Sequence, residues 1–68
     1  MTEYPKITLE AARVNAHLNQ KEAAKLLGIN PRTLANYENG RTIPDMVMGK
    51  KIEHLYKFPM MFILFPDS

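Results

Sequence analysis

Between Asn19 and Gly40 the chain carries two helix starts and two helix stops with almost nothing between them, and this punctuation constrains the fold more than any other feature. Asn19 is a good N-cap, because its side-chain oxygen can accept a bond from the unpaired N–H groups of a first turn. Glu22 follows three residues later and makes an Asn variant of the capping box. Ala23, Ala24 and Leu27 then form one stripe, while Gln20, Lys21 and Lys25 point elsewhere. Gly28 stands where a helix ends in a left-handed residue without a Cβ penalty. Only Ile29 and Asn30 separate it from Pro31. Asn30 is a second N-cap, and Pro31 falls at the first helical position, where its missing N–H costs nothing. That helix is expected to run from Pro31 to Asn39 and to stop at Gly40. So short a link keeps two helices from lying fully antiparallel, and residues 20–39 should cross steeply as helix, tight turn, helix.

The flanks add further short helices and no convincing strand. Leu9, Ala12, Arg13 and Ala16 recur at spacings of three and four, which predicts a first helix from about Thr8 to His17 with Thr8 as its N-cap. Asp45 begins a fourth, to about Tyr56, with Val47 or Met48, Ile52, Leu55 and Tyr56 as apolar positions. Gly49 inside it costs about 1 kcal/mol relative to Ala. After the break at Lys57-Phe58-Pro59, a last short helix or turn spans Met60 to Phe65.

Sixty-eight residues allow one domain, taken as 1–68, with a small core. Without Cys there are no disulfides and no thiolate metal sites, which fits a reducing cytoplasm. His17 and His54 lie far apart with no acidic residue at ligand spacing, so neither a metal nor a cofactor is expected. No phosphate-binding loop occurs, and no nucleophile has an evident base, which argues against an enzyme. Met1 to Leu9 lacks the apolar run of a signal peptide. The longest apolar run, Met60 to Phe65, is far short of the roughly 20 residues that span a bilayer. The net charge of +2 leans weakly toward polyanions, so the placement of the cations matters more than their sum.

On the helix Pro31–Asn39, Leu34 and Tyr37 share one side with Glu38 beside them. Arg32 and Asn36 lie opposite, flanked by Thr33 and Ala35. Arg, Asn and Thr are the residue types that read base edges, and small Ala35 permits close approach. On an isolated helix this would be ordinary solvated surface; the tight turn before it makes it a candidate DNA reader. Here the chain resembles a known family. The runs Asn19-Gln20-Lys21-Glu22-Ala23-Ala24-Lys25-Leu26-Leu27-Gly28-Ile29 and Thr33-Leu34-Ala35-Asn36-Tyr37-Glu38-Asn39-Gly40-Arg41 are similar to the two halves of the Cro/cI-type (XRE-like) helix-turn-helix. The likeness extends over about Ile7 to Tyr56, and more loosely the ending resembles small prophage repressors. It implies an all-α, lambda-repressor-like DNA-binding domain, a compact bundle of four to five short helices.

The resemblance also implies roles. Arg32, Thr33 and Asn36 match base-reading positions; Pro31 matches another, where it offers only apolar contact. Gln20, with Lys21 nearby, and Asn39 and Arg41 match contacts to the phosphate backbone, which position the protein without reading sequence. Arg13 and Glu38 match a largely buried structural ion pair. Lys50 and Lys51 read as a solvated face of the fourth helix ahead of a phosphate clamp, and Lys6 and Lys25 are open to both readings. In the apolar tail, Met61 and Phe65 are expected to close the core, leaving Met60, Phe62, Ile63 and Leu64 for a dimer patch. The reading is a cytoplasmic Cro-like repressor of a phage or prophage switch, bound as a homodimer to a palindromic double-stranded DNA operator, with no small-molecule ligand and no membrane. The alternative is an antirepressor or antitoxin of the same fold that grips a protein partner with its apolar C-terminus.

Overall fold

The computed structural model describes residues 5–66, so the reading of the first few residues as no signal peptide lies partly outside it. The order of elements is β1 (Ile7–Thr8), α1 (Leu9–Asn15), α2 (Gln20–Leu27), α3 (Pro31–Asn39), α4 (Met46–Tyr56), a single 3₁₀ turn (Met60–Phe62) and β2 (Ile63–Leu64). Each α-helix starts on a side-chain cap. Thr8 Oγ1 accepts from Ala11 N at 3.1 Å, and Asp45 Oδ1 from Met48 N at 2.8 Å. Asn19 and Glu22 exchange both capping-box bonds, at 2.7 and 3.0 Å. Asn30 Oδ1 accepts from Arg32 N at 2.8 Å.

Each helix also ends in a left-handed residue: His17, Gly28, Gly40 and Lys57, with φ of 62°, 75°, 78° and 55°. The bond from the following residue back across the last turn is present each time, from Leu18 to Arg13, Ile29 to Ala24, Arg41 to Asn36 and Phe58 to Glu53. The two glycines are legible as stops. His17 and Lys57 carry a Cβ into a conformation that costs about 1–2 kcal/mol, and α1 ends two residues before the expected His17. What holds them there is the next side chain: Leu18 and Phe58 both pack against the core, the apolar contact that accompanies this stop.

The core gathers Leu9 and Ala12 of α1, Ala23, Ala24 and Leu27 of α2, Leu34 of α3, Ile52 and Tyr56 of α4, and Ile63 of β2. Ala23 and Ala24 are fully buried, and their small size lets α2 lie close against α3 and α4. Met48 takes the inward place on α4 and Val47 is exposed. Gly49 is buried in mid-helix, and a Cβ built there meets only the end of Met60, at 3.9 Å. Gly49→Ala is therefore expected to stabilise the fold by about 1 kcal/mol, read as a higher urea midpoint at unchanged slope.

The tail departs from the sequence reading. In place of a single short helix or turn reaching Phe65 there is one 3₁₀ turn over Met60–Phe62, its first N–H donated from Met60 to Glu53 Oε2 at 2.9 Å, and then a strand. Ile63 and Leu64 pair in parallel with Ile7 and Thr8. Strands of two residues are too short to show alternation in the sequence. Alternation still sets the side chains: Ile63 turns inward and is buried, while Leu64 is 47% exposed. The expected dimer patch of Met60, Phe62, Ile63 and Leu64 is corrected at Ile63 alone. Ile63 belongs to the core, Met60 and Phe62 are half-buried, and Met61, expected in the core, is 80% exposed. Phe65 does pack against the core. Further exposed apolar side chains sit elsewhere, at Ile43, Met46 and Val47.

Candidate nucleic-acid interface

Helix α3 is anchored by Leu34, which is fully buried, and by Tyr37, which packs partly against the core. On its other side Pro31 and Arg32 are exposed, and Thr33 and Asn36 are half-buried at the surface. Among the described residues, no hydrogen bond or ion pair engages the side chain of Arg32, Thr33 or Asn36. Three polar side chains thus stand on one surface of a nine-residue helix with their bonding groups uncommitted. Asn39 and Arg41 are exposed at its far end. The Gly40 turn folds Arg41 back, with Arg41 N donating to Asn36 O at 2.9 Å, so that this cation follows directly on the helix. Lys21 is exposed on the first turn of α2.

Behind this surface lies a buried polar junction joining three helices. Arg13 Nε donates to Glu38 Oε2 at 2.8 Å and Arg13 Nη2 to Glu38 Oε1 at 3.4 Å; the two side chains are 9% and 4% exposed. Arg13 Nη1 donates to Leu18 O at 2.9 Å, and exposed Glu10 lies 3.8 Å from Arg13 Nη2. The hydrogen bonds to Glu38, helped by its charge, raise the Arg13 pKa against the opposing effect of burial. Gln20 is a further member. Its Nε2 donates to Glu38 Oε1 at 2.8 Å, and the residue is half-buried. The side chain read from the sequence as a phosphate contact is held from behind by the same carboxylate. Sequence spacing gave no sign of this, because Gln20 and Glu38 stand 18 positions apart on different helices.

Tyr56 borders the junction. Its hydroxyl is buried with no hydrogen-bond partner among the described residues. Burial pushes its pKa up to about 12, the charge of Glu38 adds to the rise, and Arg13 opposes it. The folded state therefore keeps a proton that the unfolded chain loses from about pH 10. Stability falls as pH rises through the window from about 10 to 12, by about 2 kcal/mol. Tyr56→Phe is expected to flatten that part of the pH–stability curve. At neutral pH it should be neutral or stabilising by up to about 1 kcal/mol, since it removes an unpaired buried hydroxyl. Chemical denaturation of both proteins at pH 7 and pH 11 measures the difference.

Among the described residues no cluster of His, Asp and Glu is placed to hold a metal ion, and no helix is long and apolar enough to cross a membrane. A family model described as Helix-turn-helix matches residues 9–63, which is 55 of the 68 positions. No curated protein and no solved structure matches the chain.

Proposed function

Because the chain belongs to the helix-turn-helix family of the Cro/cI (XRE) type and is a DNA-binding regulator of that family, we propose that it reads the major groove of an operator with α3. In this reading Arg32, Thr33 and Asn36 contact base edges and Pro31 offers an apolar surface to a thymine methyl. Gln20, Lys21, Asn39 and Arg41 hold the phosphate backbone on either side. The observation that carries the reading is that Arg32, Thr33 and Asn36 share a surface of α3 and are uncommitted within the chain, while Leu34 fixes that helix in the core. A guanidinium and an amide left without partners beside a rigid support are what a base pair with a matching edge would satisfy.

A helix of nine residues reads only a few base pairs. A useful operator would then need two copies of the protein on a palindrome, with half-sites about 34 Å apart. Such an arrangement, a cytoplasmic Cro-like repressor in a phage or prophage switch, is the specific form of the proposal. The adaptor alternative draws on the apolar C-terminus, where Ile63 is buried while Met61 and Leu64 are exposed.

The test begins with selection of the preferred duplex from a random-sequence pool. Arg32→Ala should then lower affinity for that duplex by about 1–3 kcal/mol and relax the preference at one base pair per half-site. Arg41→Ala should weaken selected and random duplexes alike and flatten the salt dependence by about one unit. Unchanged discrimination in Arg32→Ala would remove α3 from the recognition role.

A further inference from the structure

An open groove of about 650 Å³ runs between the C-terminal end of α2 and the outer face of α4. Its apolar wall includes Leu26, 63% exposed on α2, and Leu55, half-buried on α4. Lys25 stands on the α2 side. Lys50, Lys51 and His54 stand on the α4 side, with Lys50 and His54, and Lys51 and Leu55, spaced so that each pair is adjacent on the helix surface. None of the lining residues is acidic and none belongs to α3. None of the three lysines forms an ion pair among the described residues. The groove therefore concentrates one sign of charge around an apolar wall, away from the surface assigned to base reading.

We propose that this groove docks an acidic amphipathic helix of a partner protein. The two features constrain the occupant jointly. A nucleic-acid backbone would satisfy the lysines and leave Leu26 and Leu55 facing water. A purely apolar segment would bury the leucines and bring no charge to the rim. A helix with leucines four residues apart and glutamates on either side covers the wall and meets the cations together. The groove's openness suits a segment laid along it more than a small enclosed ligand. This inference does not depend on which operator the protein binds.

The probe is a synthetic helical peptide of about four turns, long enough to fold on contact, with leucines at i and i+4 and glutamate elsewhere. Its counterpart has every glutamate replaced by lysine. Isotope-labelled full-length protein is titrated with each and followed by amide and methyl NMR. The acidic peptide should shift Leu26, Leu55 and the Lys50–His54 segment in a saturable way, and the basic peptide should not. Leu26→Ala should weaken binding by about fivefold, and Lys50→Glu with Lys51→Glu by at least about tenfold. These positions are on the surface, and an unchanged amide spectrum elsewhere confirms that the variants fold. The proposal is overturned if no saturable shift appears, if both peptides bind equally, or if the shifts fall on Arg32 and Asn36, which would mean that the peptide acts as a polyanion on the DNA surface. Groove shifts that grow with protein concentration alone would assign the face to a second copy of this chain and would equally overturn it.

Discussion

Glu38→Ala should lower the folding stability by about 3–5 kcal/mol. Glu38 accepts hydrogen bonds from Arg13 Nε, Arg13 Nη2 and Gln20 Nε2 in a site where its own side chain is 4% exposed and that of Arg13 is 9% exposed. Truncation removes the only carboxylate among the described residues that hydrogen-bonds the guanidinium. Glu10 is exposed and 3.8 Å away, too solvated to replace it. Breaking one side of a buried pair costs about 3–5 kcal/mol, because the surviving charge stays desolvated. A chain of 68 residues has a total stability of about 3–10 kcal/mol, so the loss is comparable with the whole. The pair itself need not be strongly stabilising. Arg13→Met combined with Glu38→Leu removes both charges together, and should recover stability to within about 1–2 kcal/mol of the parent. Gln20 can then turn to solvent. Urea denaturation of the single and double variants reads the contrast. A loss below about 1 kcal/mol in Glu38→Ala would mean that the junction does not bear on the fold.

Gly40→Ala should cost about 2–4 kcal/mol, and Gly28→Ala only about 1–2 kcal/mol. Both glycines are left-handed, at φ of 78° and 75°, so each substitution carries the same backbone penalty. They differ in their surroundings. A Cβ on Gly28 meets nothing within 4 Å, whereas a Cβ on Gly40 would overlap the Pro66 carbonyl oxygen. Pro66 Cβ and carbonyl carbon lie only 3.1 Å from it. The tail must move or the turn must open. If the tail yields, β2 is pulled from β1 and Ile63 loses its cover. Hydrogen exchange at the β1 and β2 amides should then accelerate in Gly40→Ala and stay unchanged in Gly28→Ala. Equal costs for the two variants would show that the tail does not rest on the end of α3.

How far the sequence was legible follows the range of the forces involved. Asn19 with Glu22, Gly28, Asn30 with Pro31, and Gly40 act within four residues of themselves. Capping and left-handed stops are local, so the two central helices and their short link could be read directly. The surface carrying Arg32, Thr33 and Asn36 followed from helical geometry alone. His17 and Lys57 were not legible as stops, since nothing in either residue favours φ > 0; Leu18 and Phe58 hold them there by packing against the assembled core. The tail was misread for the same reason. A run from Met60 to Phe65 is apolar throughout, and only pairing with Ile7 and Thr8 decides that Ile63 turns in and Leu64 turns out.

By itself, then, the sequence determined the helices, their caps and the side chains α3 would present, because each depends on groups at most one turn away. The tertiary structure decided what joins them: Gln20 tied to Glu38, Tyr56 set against the ion pair, Pro66 laid over Gly40, and Lys25 brought beside Lys50 and Lys51. Contacts between residues distant in the chain depend on how the helices cross, and no local pattern records a crossing angle.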